Sequence, residues 1–347
     1  MRLVLACILI TLVSCEELKS NDKKGLNILH LLADETVNYR NPSTHYKISF
    51  PAAHDPKKSY RHEWWYISAN LTTQTGDDFA VQWTLFRTAI KNKHWYFAHA
   101  ALANEDTHLS ALRSGREALG NVIIQNKPFK AQIDNWFWHS SSQLLPAKLE
   151  FSDVKDEQKW HAKLNLIGRN QFYLQGDQGY NRKHASLDIA SHYYSQPFID
   201  VTGEIFFKGQ LLKVKGKAWF DREWGTQMLA PDQQGWDWFS LRLNSKLALM
   251  VYRIRSVDKE HLYASLMHDN GIIETLPSEE INLMVKQTKK GKYPEGFKLK
   301  LEKYNIDLEI TAINNNQIMR FGIEYFEGMV KFNGTHQGTG FLEMTGY

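Results

Sequence analysis

Glu63-Trp64-Trp65-Tyr66-Ile67-Ser68-Ala69-Asn70-Leu71 is followed, across Gly76-Asp77-Asp78, by Phe79-Ala80-Val81-Gln82-Trp83-Thr84-Leu85-Phe86-Arg87. Both runs are rich in the aromatic and branched side chains that suit a pleated strand. In the second, Phe79, Val81, Trp83 and Leu85 alternate with smaller or more polar neighbours, so one face points into a core. The break between the runs makes the pair a long hairpin. From about Tyr46 onward the same texture repeats, with short apolar runs separated by Gly, Asn and Asp. Asp269-Asn270-Gly271 and Asn333-Gly334 read as further hairpin turns, because Asn-Gly tolerates the positive φ angles of a type I′ turn. No long stretch carries a helical period. Nine prolines and 21 glycines, spread without low complexity, agree with an all-β barrel or sandwich.

A second hairpin echoes the first. Trp64-Trp65-Tyr66 opens a strand whose partner ends at Phe86-Arg87, and Trp236-Asp237-Trp238-Phe239 opens one whose partner ends at Tyr252-Arg253. Two related modules fit the length. Aromatic hairpins also look alike without a common origin, so the echo alone leaves duplication open.

The start of the chain reads as an export signal. Arg2 precedes an uncharged apolar run from Leu3 to Val13, then Ser14 and Cys15. As a helix this run rises only about 16 Å, roughly half a bilayer core, so it is too short for a lasting span. Leu12-Val13-Ser14-Cys15 fits a lipobox, with cleavage before Cys15 and a lipid attached to its sulfur. Residues 1–14 are then signal peptide, and 15–45 are the lipidated Cys15 and a tether in which Lys19, Asp22, Lys23 and Lys24 are solvated and Leu26 to Ala33 could form two helical turns. Cys7 is the only other cysteine, so the mature chain is expected to have no internal disulfide and to rely on its core. Glu16 after the lipidated residue leans the address toward the periplasmic face of the outer membrane.

Lys and Arg number 42 against 38 Asp and Glu, a balance that does not suit nucleic acid. The unusual feature is aromatic: 11 Trp, 15 Tyr and 18 Phe exceed the ordinary needs of a core, and buried Trp wants a partner for its N–H. An apolar ligand or a sugar could stack on some of them.

The segments Ser59 to Tyr66, Gln82 to Arg87, Tyr193-Tyr194-Ser195, Gly216 to Gly225, Gly235 to Ser240 and Gly340 to Tyr347 resemble, in order and over nearly the whole mature chain, the AttH and carotenoid 1,2-hydratase family. The resemblance implies two tandem lipocalin-like β-barrel domains, 46–225 and 226–347, with the aromatic segments lining the region where they meet. It implies no cofactor. Members studied as enzymes add water to carbon–carbon double bonds of isoprenoid or related apolar substrates, and genes of the family often neighbour ABC transporter permeases.

Such hydration needs a strong acid, stabilisation of a carbocation and entry for one water. A carboxylic acid in an aromatic pocket suits the first need, because burial keeps its proton on near neutral pH. In the carotenoid hydratases a His and an aromatic two residues later precede an aromatic-x-Asp segment by about 25 residues. His192 and Tyr194 stand at that spacing from Trp219 and Asp221, so the resemblance assigns these four to the reaction, with Asp221 as general acid and Glu223 beside it. Tyr194 replaces a Trp, Trp219 a Tyr, and Asp221-Arg222-Glu223 an Asp-His-Asn, which points to a different substrate.

On an undistorted strand Trp219, Asp221 and Glu223 share a face with Lys213, Lys215 and Lys217. Lysines inside a barrel are unreasonable. The expectation is either that the strand rises into the barrel mouth or, preferred, that a bulge at Gly216 shifts the register. A structural alternative pairs Asp221 and Glu223 with Arg87 or Arg222. The candidate ligand-binding set is Glu63, Trp64, Trp65, Tyr66, Arg87, Trp236 and Trp238, although Glu63 reads more readily as the structural partner of an arginine. No Gly-x-Ser-x-Gly elbow, His-Glu-x-x-His pair, phosphate loop or dinucleotide fingerprint is present, and no metal set is read from the scattered histidines.

The expected function is a lipid-anchored protein with an aromatic cavity for an isoprenoid or acyl lipid, acting by acid-catalysed hydration or hydrolysis. The alternatives are a carrier lipoprotein working with an ABC permease, and a glycan-binding protein. Cys15→Ser should move the protein from the membrane fraction to the soluble fraction and remove the lipid mass from its N-terminal peptide; unchanged membrane association would refute the lipobox.

Overall fold

The computed structural model describes residues 38–90, 93–286, 292–321 and 324–347. The signal segment, Cys15 and the turns expected over Leu26 to Ala33 lie outside the described residues. Among these residues there is no α-helix, only strands and four short 3-10 turns.

The opening hairpin forms β1 (His62–Thr73) and β2 (Asp78–Ile90), with Trp64 opposite Phe86 and Tyr66 opposite Thr84. The next strand, β3 (Lys93–Ala103), pairs with β2. Further on, β4 (Ala190–Phe207) and β5 (Gln210–Gly225) pair with each other, and β5 also pairs with β1. They belong to a 13-stranded sheet; a 10-stranded sheet starts with β6 (Gln233–Arg242). There β6 is flanked by β7 (Leu247–Ser256) and, through β9 (Gly338–Met344), by β8 (Glu324–Gly334). Both domains are lipocalin-like and all-β, one nearly closed and the other a half-barrel.

The two echoing hairpins hold corresponding places. In the first sheet the order is β2-β1-β5-β4, and in the second β7-β6-β9-β8. Glu63 faces Arg87 across its hairpin as Asp237 faces Arg253 across the other. On the opposite flank Glu223 faces Trp64 as Glu343 faces Trp238.

Alternation then decides where everything goes. Trp65, Ile67, Val81, Trp83, Phe220 and Trp224 fill the first barrel. Phe239, Leu241, Leu249, Val251 and Leu342 fill the second. Many of the residues between them are buried too. Tyr66, Tyr193, Trp219, Trp238, Tyr252 and Phe341 form another buried cluster, made of outer faces from both sheets. The barrels are therefore held together by an apolar layer of their own, worth about 25 cal/mol for each Å² removed from water.

This layer resolves the lysine problem differently from either expectation. The register between β1 and β5 runs without a break from His62 opposite Gly225 to Thr73 opposite Val214, passing Gly216 opposite Leu71. No bulge sits at Gly216; the irregularity lies in β4, between Gln196 and Ile199. Lys213, Lys215 and Lys217 are exposed while Trp219, Asp221 and Glu223, on the same outer face, are buried. One face of β5 simply leaves solvent where the second barrel covers it. Gly216 is required for another reason, since a Cβ there would lie 2.0 Å from the Asn70 carbonyl oxygen.

Asn333-Gly334 also differs from its reading as a two-residue turn. Gly334 ends β8, paired with Leu308, and a Cβ on it would sit 2.1 Å from the Asp307 oxygen. The chain reverses after it, before β9 begins at Gly338. Asp269-Asn270-Gly271 does turn a hairpin, with Gly271 at φ +98°.

Glu63 anchors the first barrel. Its carboxylate takes hydrogen bonds from Arg87 Nε and Arg222 Nη2, and the Lys57 backbone N–H donates to Oε2 at 2.8 Å. Arg222 also lies over the Trp65 ring, 3.9 Å from its centroid. Burial opposes charge on Glu63, but the two guanidinium groups outweigh it and hold the carboxyl below its usual range. Glu63→Gln leaves two buried cations short of a partner and should cost about 3–5 kcal/mol in urea unfolding. Asp200→Asn, which breaks the exposed pair with Lys217, should cost less than about 1 kcal/mol; similar losses at both sites would contradict this account.

Candidate active site

Where the apolar layer between the barrels is incomplete, it leaves a cavity of about 250 Å³. Strands β1, β2, β3, β4 and β5 wall it on one side, and β6, β7, β8 and β9 on the other. Half-buried Trp64, Phe86, Phe97, Trp236 and Phe321 contribute apolar surface, and Trp238, Tyr252 and Ile254 continue it inward. Four carboxyl groups besides Glu63 line the same space: Asp221, Glu223, Glu327 and Glu343.

Asp221 sits on β5 with Tyr66 beside it on β1 and Ser195 on β4. Ser195 Oγ donates to its Oδ1 at 2.5 Å. Burial pushes the Asp221 carboxyl up to about 7; the polar edges of Ser195, Trp219 and Tyr193 oppose this, and the nearby Glu223 adds to it. No cation pairs with it among the described ion pairs. Glu223 has a different setting. Lys183 Nζ lies 2.7 Å from its Oε1 and Ser191 Oγ donates to the same oxygen at 2.5 Å. Lys183 is itself clasped by the rings of Tyr193 and Tyr252, at 5.0 and 4.7 Å from their centroids. Glu223 is thus an ion-pair partner, and neither it nor Asp221 pairs with Arg87 or Arg222; those arginines serve Glu63.

The second barrel contributes Glu327 and Glu343, opposite each other on β8 and β9. Burial pushes Glu343 up to about 7, countered by the Trp236 Nε1–H that donates to its Oε1 at 2.9 Å, while the Glu223 and Asp221 charges raise it further. Burial and then Glu343 hold the Glu327 carboxyl well above its usual range, with Tyr66 and Tyr325 acting against them. The pair keeps at least one proton at neutral pH. Tyr325 O–H meets His99 Nδ1 at 2.6 Å, and burial drives His99 down to about 3, so this imidazole is neutral.

Of the residues assigned to the reaction, Trp219, Asp221 and Glu223 fall together on the outer face of β5, Trp219 packing edge-on to Trp238. His192 and Tyr194 do not join them. Across β4 and β5 it is Tyr193 that faces Glu223 and Ser195 that faces Asp221, whereas His192 faces Trp224 and Tyr194 faces Arg222. His192 packs its ring on Tyr46, centroids 4.5 Å apart, and burial lowers it to about 4. Tyr194 hydrogen-bonds His54 Nδ1 at 2.6 Å. His192 and Tyr194 therefore lie on the Trp224 face of β4, and Tyr193 and Ser195 on the Asp221 face.

Among the ligand-binding candidates, Trp64, Tyr66, Trp236 and Trp238 line the cavity. Trp65 points into the first barrel, its Nε1–H donating to the His54 carbonyl at 3.0 Å. Glu63 and Arg87 border the space, but their charged groups are spent on each other, Arg222 and backbone. Sequence reasoning gave no role to Tyr193, Ser195, Lys183, His99, Tyr325, Glu327 or Glu343. Tyr193, Ser195 and Glu343 lay inside segments already singled out; strand parity relative to Asp221 would have found the first two.

Asp221 and Glu343 are ordinary carboxylates in the unfolded chain and titrate near 7 in the fold. The native state therefore binds more protons between about pH 4 and 7, and this contribution to stability is present in acid and lost as pH rises through 7. Asp221→Asn, which cannot ionise, should melt higher than the parent at pH 8, with the gap shrinking toward pH 5. A gap independent of pH would show that Asp221 is ionised throughout.

A crystal structure of an AttH from Nitrosomonas europaea superposes with a TM-score of 0.79 at 27% identity, over 89% of this chain and 99% of that one. Kievitone hydratase from Nectria haematococca shares the fold, with a TM-score of 0.59 at 17% identity over 89% of this chain and 96% of the other. A protein named CghA does so as well, at 0.52 and 12% over 91% and 96%. No curated protein matches. The AttH-like family model spans residues 41–347, the two barrels and the cavity between them, and the chain belongs to the AttH-like family.

Proposed function

We propose that this chain binds an apolar isoprenoid or acyl ligand between its barrels and protonates it from Asp221, hydrating a carbon–carbon double bond. The observation that carries the reading is a buried carboxyl with no cation partner among the described residues, held by Ser195 in an aromatic cavity. Such a group is neutral enough at pH 7 to be an acid and strong enough to give up its proton. Trp64, Trp236 and Trp238 supply ring faces for the resulting cation, each worth about 2 kcal/mol when desolvated. Kievitone hydratase, alike in fold, is by name a hydratase. A lipid on Cys15 would keep the cavity beside a bilayer, where such ligands are concentrated.

A carrier that shuttles a lipid, with an ABC permease as partner, is the second reading. The apolar half-buried rim of Trp64, Phe86, Ile90, Phe97 and Phe321 favours it. The same lining suits a glycan poorly.

Myrcene, farnesene and squalene incubated with the protein in D₂O separate these readings. The parent should form deuterated alcohol, and Asp221→Asn should lose this by about a hundredfold or more while still displacing a bound naphthylamine fluorophore. Equal turnover in both proteins would sink Asp221 as the acid. Ligand uptake with no conversion in either would leave the carrier.

A further inference from the structure

Protonating a double bond is half of a hydration. The water that adds must lose a proton as its oxygen bonds to carbon, and Asp221 has only just given one up. The Asp221 carboxylate can take that proton only from a water on its own wall, so a water adding from the opposite face of the ligand needs a receiver there. The wall opposite carries carboxyls of its own.

We propose that Glu343 is a second proton-transferring residue of this site, receiving from the added water the proton that balances the one delivered by Asp221. Four observations carry it. Glu343 lines the same cavity as Asp221 but comes from the other barrel, on β9 rather than β5. It is the only one of the four cavity carboxyls that is half-buried rather than buried, so a small ligand can reach it. Only one of its oxygens is engaged: Trp236 Nε1 donates to Oε1, and no described residue donates to Oε2. Its cross-strand neighbour Glu327 is fully enclosed and beside Tyr66 and Tyr325, so when the pair holds one proton the inner carboxyl keeps it and the outer one is free to accept.

Its counterpart in the first barrel sharpens the contrast. Glu223 occupies the corresponding place, opposite Trp64 as Glu343 is opposite Trp238. Glu223 is tied to Lys183 and Ser191, whereas no described cation pairs with Glu343. Of two corresponding carboxylates, one is a structural ion and the other is unspent. Glu343 also lies close enough to Asp221 for the Asp221 charge to raise it, which fits two groups acting on a single small molecule.

The step rests on the hydration reading above, and it balances. The O–H bond of Asp221 breaks and its proton joins one alkene carbon through the π pair. A lone pair of the water oxygen forms the C–O bond to the other carbon. One water O–H bond breaks, and its proton passes to Glu343. Exchange with solvent reprotonates Asp221 and discharges Glu343, so alkene plus water becomes alcohol with no net change in the protein.

Removing the receiver should separate the two halves of the reaction. With the three alkenes above in D₂O, Glu343→Gln should form alcohol about a hundredfold more slowly or worse, yet still place deuterium in recovered alkene, because Asp221 can add a deuteron and take back a proton. Asp221→Asn should lose both the alcohol and the exchange. Gln keeps an acceptor for Trp236, so fluorophore binding, and the melting temperature at pH 5 where Glu343 is protonated, should stay near the parent's, and Glu343→Asp should restore part of the alcohol. Alcohol formed at the parent's rate by Glu343→Gln would overturn this role alone. Loss of alcohol and exchange together would assign Glu343 to the first step and overturn it too. A parent that neither hydrates nor exchanges would overturn both this inference and the reading beneath it.

Discussion

A β-strand can serve two cores only if both of its faces are covered, and in this protein that constraint orders everything else. Odd and even residues of β1, β5 and β6 go to different places: one set into a barrel, the other into the layer between barrels. A barrel alone would leave Tyr66, Trp219 and Trp238 on its outside as a large apolar patch. Docked, those patches cover each other, and the cavity is what remains where they do not quite meet. The site is therefore a by-product of the interface rather than a cup inside either barrel.

Within that frame identical chemistry takes opposite roles according to what surrounds it. Glu63 is wholly buried, yet two guanidinium groups keep it ionised and make it a fastening. Asp221 is nearly as enclosed, but its strongest described partner is a hydroxyl, and burial then favours the neutral acid. Glu223 stands between them, with a lysine shared between tyrosine rings. The difference between a rivet and a reagent is the charge placed within reach of the carboxyl.

Much of the fold was legible because strand texture is local. The hairpin of β1 and β2 and the all-β class follow from alternation and from turn residues that any reader can see, while the aromatic character of the meeting region is what the family resemblance implies. What was not legible is which face of a strand is inside. Trp65 and Trp64 are one residue apart and go to different cores; His192 and Tyr193 likewise, and the assignment of His192 and Tyr194 to the site failed on that single step. The buried stretch of β5 misled for the same reason, since lysines and an acid of one parity make sense only when a second domain covers half the strand. Glu327 and Glu343 were hidden by distance, being more than a hundred residues from Asp221 and joined to it only by the docking of the two sheets.

The corresponding registers of the two sheets also expose where they differ. Ser195 and Asp221 face each other across β4 and β5; the matching pair across β8 and β9 is Met329 and Phe341. Two copies of one barrel docked through these faces would bring the same acid, or the same phenylalanine, from both sides. In one polypeptide each wall carries its own residues, the first an acid facing a hydroxyl and the second apolar at that spot and acidic two residues later. A hollow bordered by two sheets of matching register thereby has a left and a right, and its two walls present different chemistry to whatever lies between them.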